Sequence, residues 1–350
     1  MVGPVPNRAG AHAPDQPRRG TSLPAVTTED PTLPAPVTRA EVEAAGARLG
    51  GRVRRTPTVS WEVPLDGGRF PVVLKLEQLQ HTGSFKARGA LNRLLAAPEL
   101  PELVVTASGG NHGLAVAHAA RELGVPAEVY VPETAPPVKI AGIRQRGATV
   151  VLAGSSYAEA AAASSTRAGE PGALFVHAYD DRDVVAGQGT VARELAAQAP
   201  DLDTVLVATG GGGLIGGIAA HYAGAVRVVS VETHGTATLS AALAAGRPVD
   251  VEVSGLASDA LGARRIGGHG FATARATGVR AVLVDTDAVR AARHLLWQDL
   301  HVAAEPGGAT ALAALLSGAY VPAAGERVGV VICGANADPA DLGTGVQPAR

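Results

Sequence analysis

The run TVLVATGGGGLIGGIAAHY, Thr204 to Tyr222, decides how this chain folds. Thr204 to Thr209 has the β-branched, apolar composition of a buried strand, four glycines follow, and Leu214 to Tyr222 reads as a helix. A second β-branched run, Val226 to Val231, comes directly after. Strand, glycine turn, helix and strand make a unit of two parallel strands joined by a crossover helix.

The same alternation extends both ways along the chain. Strands are expected at Val72 to Lys75, Leu103 to Thr106, Ala127 to Val131, Thr149 to Leu152 and Val328 to Cys333. Helices are expected from about Ser84 to Ala96 and from about His112 to Leu123. This repetition predicts largely parallel sheets covered by helices, and 350 residues accommodate two such units. Gly255 to Gly268, rich in glycine and bearing both charges, reads as a loop over a site. Met1 to Pro36 holds eight of the 24 prolines and few large apolar residues, so a disordered tail is expected there.

Composition narrows the function. Thirty Lys plus Arg against 32 Asp plus Glu leave a formal charge of -2, too little positive field to bind nucleic acid through its phosphates. Every apolar stretch is interrupted well before the roughly 18 residues of a membrane span. The single cysteine, Cys333, excludes an internal disulfide framework and suits a reducing cytoplasm.

Three of the 30 cationic residues are lysines, Lys75, Lys86 and Lys139. In so arginine-biased a chain, each is a candidate for what arginine cannot do, namely lose a proton and attack a carbonyl. Lys75 at a strand end and Lys139 in a proline-rich connection read as surface residues. Lys86, in HTGSFKARGA, His81 to Ala90, falls between an N-cap candidate, Ser84 or Thr82, and a periodic helix. There the helix dipole and Arg88 are expected to lower its pKa, as suits a Schiff-base lysine.

Three further segments carry chemistry. Ser108-Gly109-Gly110-Asn111-His112-Gly113 follows a strand and opens a helix, a cradle for a carboxylate or else an ordinary turn with Asn111 as cap. Gly210 to Gly213 bring bare amides to a helix start, as phosphate binding requires. Gly211, Gly213 and Gly216 also satisfy GxGxxG, with Glu232 at the end of the next strand, so a dinucleotide site of an NAD(P)-dependent oxidoreductase competes. Cys333-Gly334-Ala335-Asn336 ends an apolar strand where open α/β sheets place ligands, and Glu305 precedes a helix start at Pro306.

Taken in order, Ser84-Phe85-Lys86 with Arg88-Gly89-Ala90, Ser108 to Gly113, Ala186-Gly187-Gln188-Gly189-Thr190, the tetraglycine, Glu305-Pro306 and Cys333 to Asn336 resemble the serine/threonine dehydratases, pyridoxal-phosphate enzymes of fold type II. The resemblance runs from about Val37 to Gly343. It implies two open, twisted, mostly parallel-sheet α/β domains with the cofactor in the cleft between them. A large domain would take residues 37–102 and 180–343, a small one residues 103–179, with tails at 1–36 and 344–350. Lys86 would carry pyridoxal phosphate as a Schiff base, with Phe85 on its ring. Gly210, Gly211, Gly212, Gly213 and Leu214 would bind the phosphate, Asn111 the ring hydroxyl, and Ser108, Gly109, Asn111 and His112 the substrate carboxylate. Glu305 belongs to the same cofactor set, and Cys333 faces the ring nitrogen.

The implied reaction is β-elimination of L-threonine or L-serine to 2-oxobutyrate or pyruvate and ammonia. A β-replacement synthase, a racemase, or a dehydratase of hydroxyaspartate, phenylserine or another β-hydroxy amino acid, is the alternative within the class. Racemases of this class use a second serine where Gly109 stands, which disfavours racemisation here. The family's divalent-cation site, where present, follows the phosphate loop with an acidic pair, of which Glu232 matches the first and Thr238 replaces the second, so no metal is expected. The resemblance allows a homodimer. The chain also ends without room for a C-terminal regulatory domain, so feedback inhibition is not expected.

Overall fold

The computed structural model describes residues 1–3, 33–65, 68–338 and 340. Met1–Thr32 separates as its own unit from Leu33–Arg350, and every element below lies in the second. Most of the expected proline-rich tail and the whole of 344–350 lie outside the described residues. The end of that tail is held in place. Arg182 donates to the carbonyls of Ala35 and Pro36 at 2.8 and 3.0 Å, and buried Val37 donates its N–H to Thr273 Oγ1.

Among the described residues, ten strands build two sheets. They are β1 (Thr58–Leu65), β2 (Gly68–Leu76), β3 (Leu103–Ala107), β4 (Ala127–Val131), β5 (Thr149–Leu152), β6 (Ala173–Phe175), β7 (Thr204–Ala208), β8 (Arg227–Thr233), β9 (Arg280–Val284) and β10 (Val328–Ile332). The larger sheet has the order β1-β2-β10-β7-β8-β9 and the smaller β5-β4-β3-β6. All neighbours run parallel except β1 and β2. β7 and β10 are buried at every residue, as a central strand with helices on both faces must be, which is why both read as unbroken apolar runs.

β1, β6 and β9 escape the sequence reading, and all three lie at sheet edges. One side of an edge strand is solvated, so the apolar run thins. β1 also carries Pro64, tolerable where no ladder partner needs its N–H.

Each sheet reverses its direction of growth once. In the larger sheet β8 and β9 extend from one side of β7 while β10 returns on the other, and in the smaller β4 and β5 extend from one side of β3 while β6 returns on the other. Loops leaving the carboxyl ends of strands at such a reversal diverge and open a crevice. The segments after β3, β6, β7 and β10 are therefore where this topology makes room for a ligand.

The Ala186 to Thr190 motif lies in the helix Arg182–Gln198, and its glycines serve packing. A Cβ on Gly187 would come within 2.7 Å of Gly89 Cα, and one on Gly189 within 2.6 Å of the Gly217 carbonyl. Bare backbone lets this helix lie against Lys86–Leu95 on one side and Gly213–Tyr222 on the other, which fixes the starts of both.

Candidate active site

Lys86 is the first residue of the helix Lys86–Leu95, which follows β2 through a tight connection. The expected caps are not formed. Thr82 adopts a left-handed conformation at φ 64°, Ser84 is extended and bridges to Gly334, and Phe85 occupies the N-cap without a side-chain bond. The Lys86 amine donates to the Ala178 carbonyl at 2.7 Å and lies 5.2 Å from the centre of the Phe85 ring. Among the described residues no carboxylate pairs with it. Burial pulls its pKa down to about 8, opposed by Cys333 and Glu305.

Arg88 does not contribute to this, contrary to the sequence expectation. It points to the other side of its helix, fully buried, and donates to both oxygens of Glu77 at 2.7 and 2.8 Å and both of Glu194 at 2.8 and 2.9 Å. Lys75 is also not a surface residue. It is fully buried, with its amine on Glu194, Gln198 and the Thr56 carbonyl at 2.7 to 2.8 Å.

The tetraglycine leaves β7 and turns into the helix Gly213–Tyr222. Gly212 has φ +91°, and a Cβ there would lie 2.6 Å from Ile266, while one on Gly210 would lie 2.8 Å from the Leu261 backbone. Side chains are excluded, and the first-turn amides of the helix have no intrahelical acceptor. Phe85, Lys86, Asn111, Gly210 to Leu214, Glu305 and Cys333 all line one cavity. The Cys333 thiol is buried against the Gly307 carbonyl at 3.4 Å, and burial raises its pKa far out of the physiological range, so it stays neutral.

Ser108, Gly109 and His112, with Asn111, line a wider cleft of about 800 Å³ that shares Lys86 and Asn111 with the inner cavity. Asn111 does not cap its helix. Its Nδ2 donates to Glu305 Oε1 at 2.6 Å, and burial lifts the Glu305 carboxyl to about 7 against the hydrogen bond from Asn111. His112 is buried with Nε2 2.9 Å from the Val176 carbonyl, and burial and nearby Lys86 lower its pKa to about 3. The ring is neutral, with the proton on Nε2, since a carbonyl only accepts.

Several residues of this region were not picked out from the sequence. Ala178 and Tyr179 follow β6, a strand too short to be read, and both line the cleft. Leu261 and Asp259, from the glycine-rich Gly255 to Gly268 loop, form another wall. Asp259 pairs there with Lys139. Glu232 leaves the dinucleotide reading without its acid, because its carboxylate accepts from Leu239 N, Ser240 N and Thr238 Oγ1 at 2.7 to 3.1 Å. Burial raises Glu232 to about 7 as well.

The cavity thus combines an amine with a lowered pKa, a glycine turn at a helix start, a neutral thiol and an amide held by a carboxylate. That donor set fits a phosphorylated aromatic aldehyde: the amine for the carbonyl, the turn for the phosphate, and the thiol as a partner that puts no negative charge on a ring nitrogen.

Comparison with known proteins agrees with this chemistry. A family model described as pyridoxal-phosphate dependent enzyme matches residues 50–334. L-threonine ammonia-lyase of Geobacter sulfurreducens is 39% identical over 302 residues, 85% of this chain and 75% of that protein. Phenylserine dehydratase of Ralstonia pickettii is 38% identical over 84% of this chain and 91% of its own length. Among solved structures, maize serine racemase superposes with a TM-score of 0.81 at 32% identity, covering 88% of this chain and 95% of that one.

Proposed function

This chain belongs to the pyridoxal-phosphate dependent enzyme family, and on that premise we propose that it is an ammonia-lyase converting L-threonine and L-serine to 2-oxobutyrate and pyruvate. The observation that carries the reading is Lys86, whose amine shares one cavity with the glycine turn and the neutral thiol and has no carboxylate partner among the described residues.

When bound, pyridoxal phosphate supplies a carbonyl for an amine and a conjugated ring that spreads the electron pair left at Cα. Lys86 Nζ would hold that carbonyl and, as a free amine, would take the α-proton, a role that its lowered pKa favours. Amides of Gly210 to Leu214 would hold the phosphate, and the amides of Gly109, Asn111 and His112 with the Ser108 hydroxyl would hold the substrate carboxylate, the Ser108 N–H being taken by the Tyr130 carbonyl. Cys333 Sγ, uncharged, would leave the ring a weaker electron sink than an aspartate partner would, which disfavours a long-lived carbanion at Cα. Gly109 offers no proton on the far side of Cα, which sets this site apart from a racemase. The two sheets correspond in this reading to a large domain, 37–102 with 180–343, and a small one, 103–179. A cytoplasmic homodimer belongs to the same reading, and among the described residues no helix is long and apolar enough to cross a membrane.

Tyr157 and Tyr179 on the wall of the cleft favour β-aryl substrates as a second reading. The test is release of 2-oxoacid from L-threonine, L-serine and L-phenylserine by protein supplied with pyridoxal phosphate, beside Lys86→Ala. Lysine-dependent 2-oxobutyrate and pyruvate are expected. Predominant phenylpyruvate would transfer the assignment to the aryl substrate, and no oxoacid from a yellow protein would overturn the lyase reading.

A further inference from the structure

Asn111 can steer a cofactor only if its amide is held one way round, and the hydrogen bonds around it decide which way. Asn336 Nδ2 lies 2.7 Å from the Thr82 carbonyl and 2.7 Å from Asn111 Oδ1. The carbonyl of Thr82 can only accept, so the Asn336 atom facing it must be the NH2 group. The second hydrogen of that group then points to Asn111, whose facing atom must be the oxygen. Asn111 Nδ2 is thereby turned to Glu305 Oε1 at 2.6 Å, leaving one N–H free. A chain of donors running from a backbone carbonyl through two amides to a carboxylate has one direction.

The surrounding backbone is shaped to admit this chain. Thr82 and Gly83 both have positive φ, 64° and 77°, and a Cβ on Gly83 would sit 2.7 Å from Asn336 Oδ1. Ala335 N donates to the Gly83 carbonyl, Phe85 N to the Cys333 carbonyl and Glu305 N to the Gly334 carbonyl, at 2.9, 3.2 and 3.0 Å. The strained turn before Lys86, the loop after β10 and the start of the helix Asn111–Glu122 therefore meet at one side chain.

We infer that Asn336 is a positioning residue that locks Asn111 as a hydrogen-bond donor toward the cofactor ring oxygen, an inference that rests on the pyridoxal-phosphate reading of this cavity. Asn111 then favours the deprotonated form of that oxygen. Loss of the lock allows the amide to turn its oxygen inward, and the preference is lost.

The test compares wild type with the isosteric Asn336→Asp and the milder Asn336→Ser, which keeps one donor for Thr82. Pyridoxal phosphate affinity is measured by equilibrium dialysis, the absorption of the bound cofactor is followed against pH, and thermal melts report folding. Asn336→Asp should weaken cofactor binding by roughly 10-fold. It should also move the midpoint of the absorption change to higher pH, with Asn336→Ser between it and wild type. Wild-type affinity and midpoint in both folded variants would overturn the inference, and in Asn336→Ser alone would do so if the aspartate variant fails to fold. A wild type that takes up no pyridoxal phosphate would overturn the functional reading instead.

Discussion

Lys86 and Arg88 stand two residues apart on one helix and have opposite fates. Arg88 is buried among the carboxylates of Glu77 and Glu194, which raise its pKa despite the cost of burial. Lys86 is given only a backbone carbonyl and an aromatic ring, and burial wins, bringing it to about 8. The same helix therefore builds a neutralised ionic cluster on one side and an unneutralised amine on the other. Burial makes a cation reactive where no anion is supplied with it, and structural where two are.

The strongest way to break this contrast is to make the two positions chemically alike. Lys86→Arg keeps the charge but cannot give a free amine, so 2-oxoacid formation should fall by roughly a thousandfold or more. The melting temperature should change little, and substantial turnover in the purified variant would refute the assignment. On the other side, Arg88→Met leaves Glu77 with the Thr56 hydroxyl and Glu194 with the Lys75 amine, and takes from both the guanidinium that they share. Denaturant titration should show a loss of about 3–5 kcal/mol. An unchanged midpoint would mean that the cluster contributes nothing to the fold.

The smallest effect sharpens the comparison among carboxylates. Glu305 titrates near 7 in the folded chain against an ordinary value of 4.5, so the folded state holds more protons than the unfolded one between those pH values. Stability contributed by this group is present below about 4.5 and is lost as pH rises through about 7. Glu305→Gln should therefore flatten part of the fall in melting temperature over that window. Glu232, raised for the same reason at the start of the helix Thr238–Ala245, keeps the remainder. A slope identical to wild type would show that Glu305 is not buried as an acid.

Much of the candidate site is legible because its residues occur in short local patterns. A glycine run between strand and helix, a lysine after Ser-Phe, and Ser-Gly-Gly-Asn-His after a strand each carry their chemistry within a few positions. Tyr179 and Ala178 stay hidden because their signal lies in β6, three residues at a sheet edge. Lys75 is misread for a related reason. Its local context is a strand end, and only its pairing with Glu194, 119 residues away, makes a buried amine affordable.

The sequence by itself determined the alternation of strand and helix, the glycine turn and the presence of one lysine suited to a carbonyl, since periodicity and backbone permissiveness are local properties. Only the tertiary structure decided which cations are neutralised, where the strand order reverses, and which way round Asn111 is held. Those depend on partners that are far apart in the chain, Glu194 for Arg88 and Asn336 for Asn111, and charge and hydrogen-bond direction are settled by whatever folding brings within about 3 Å.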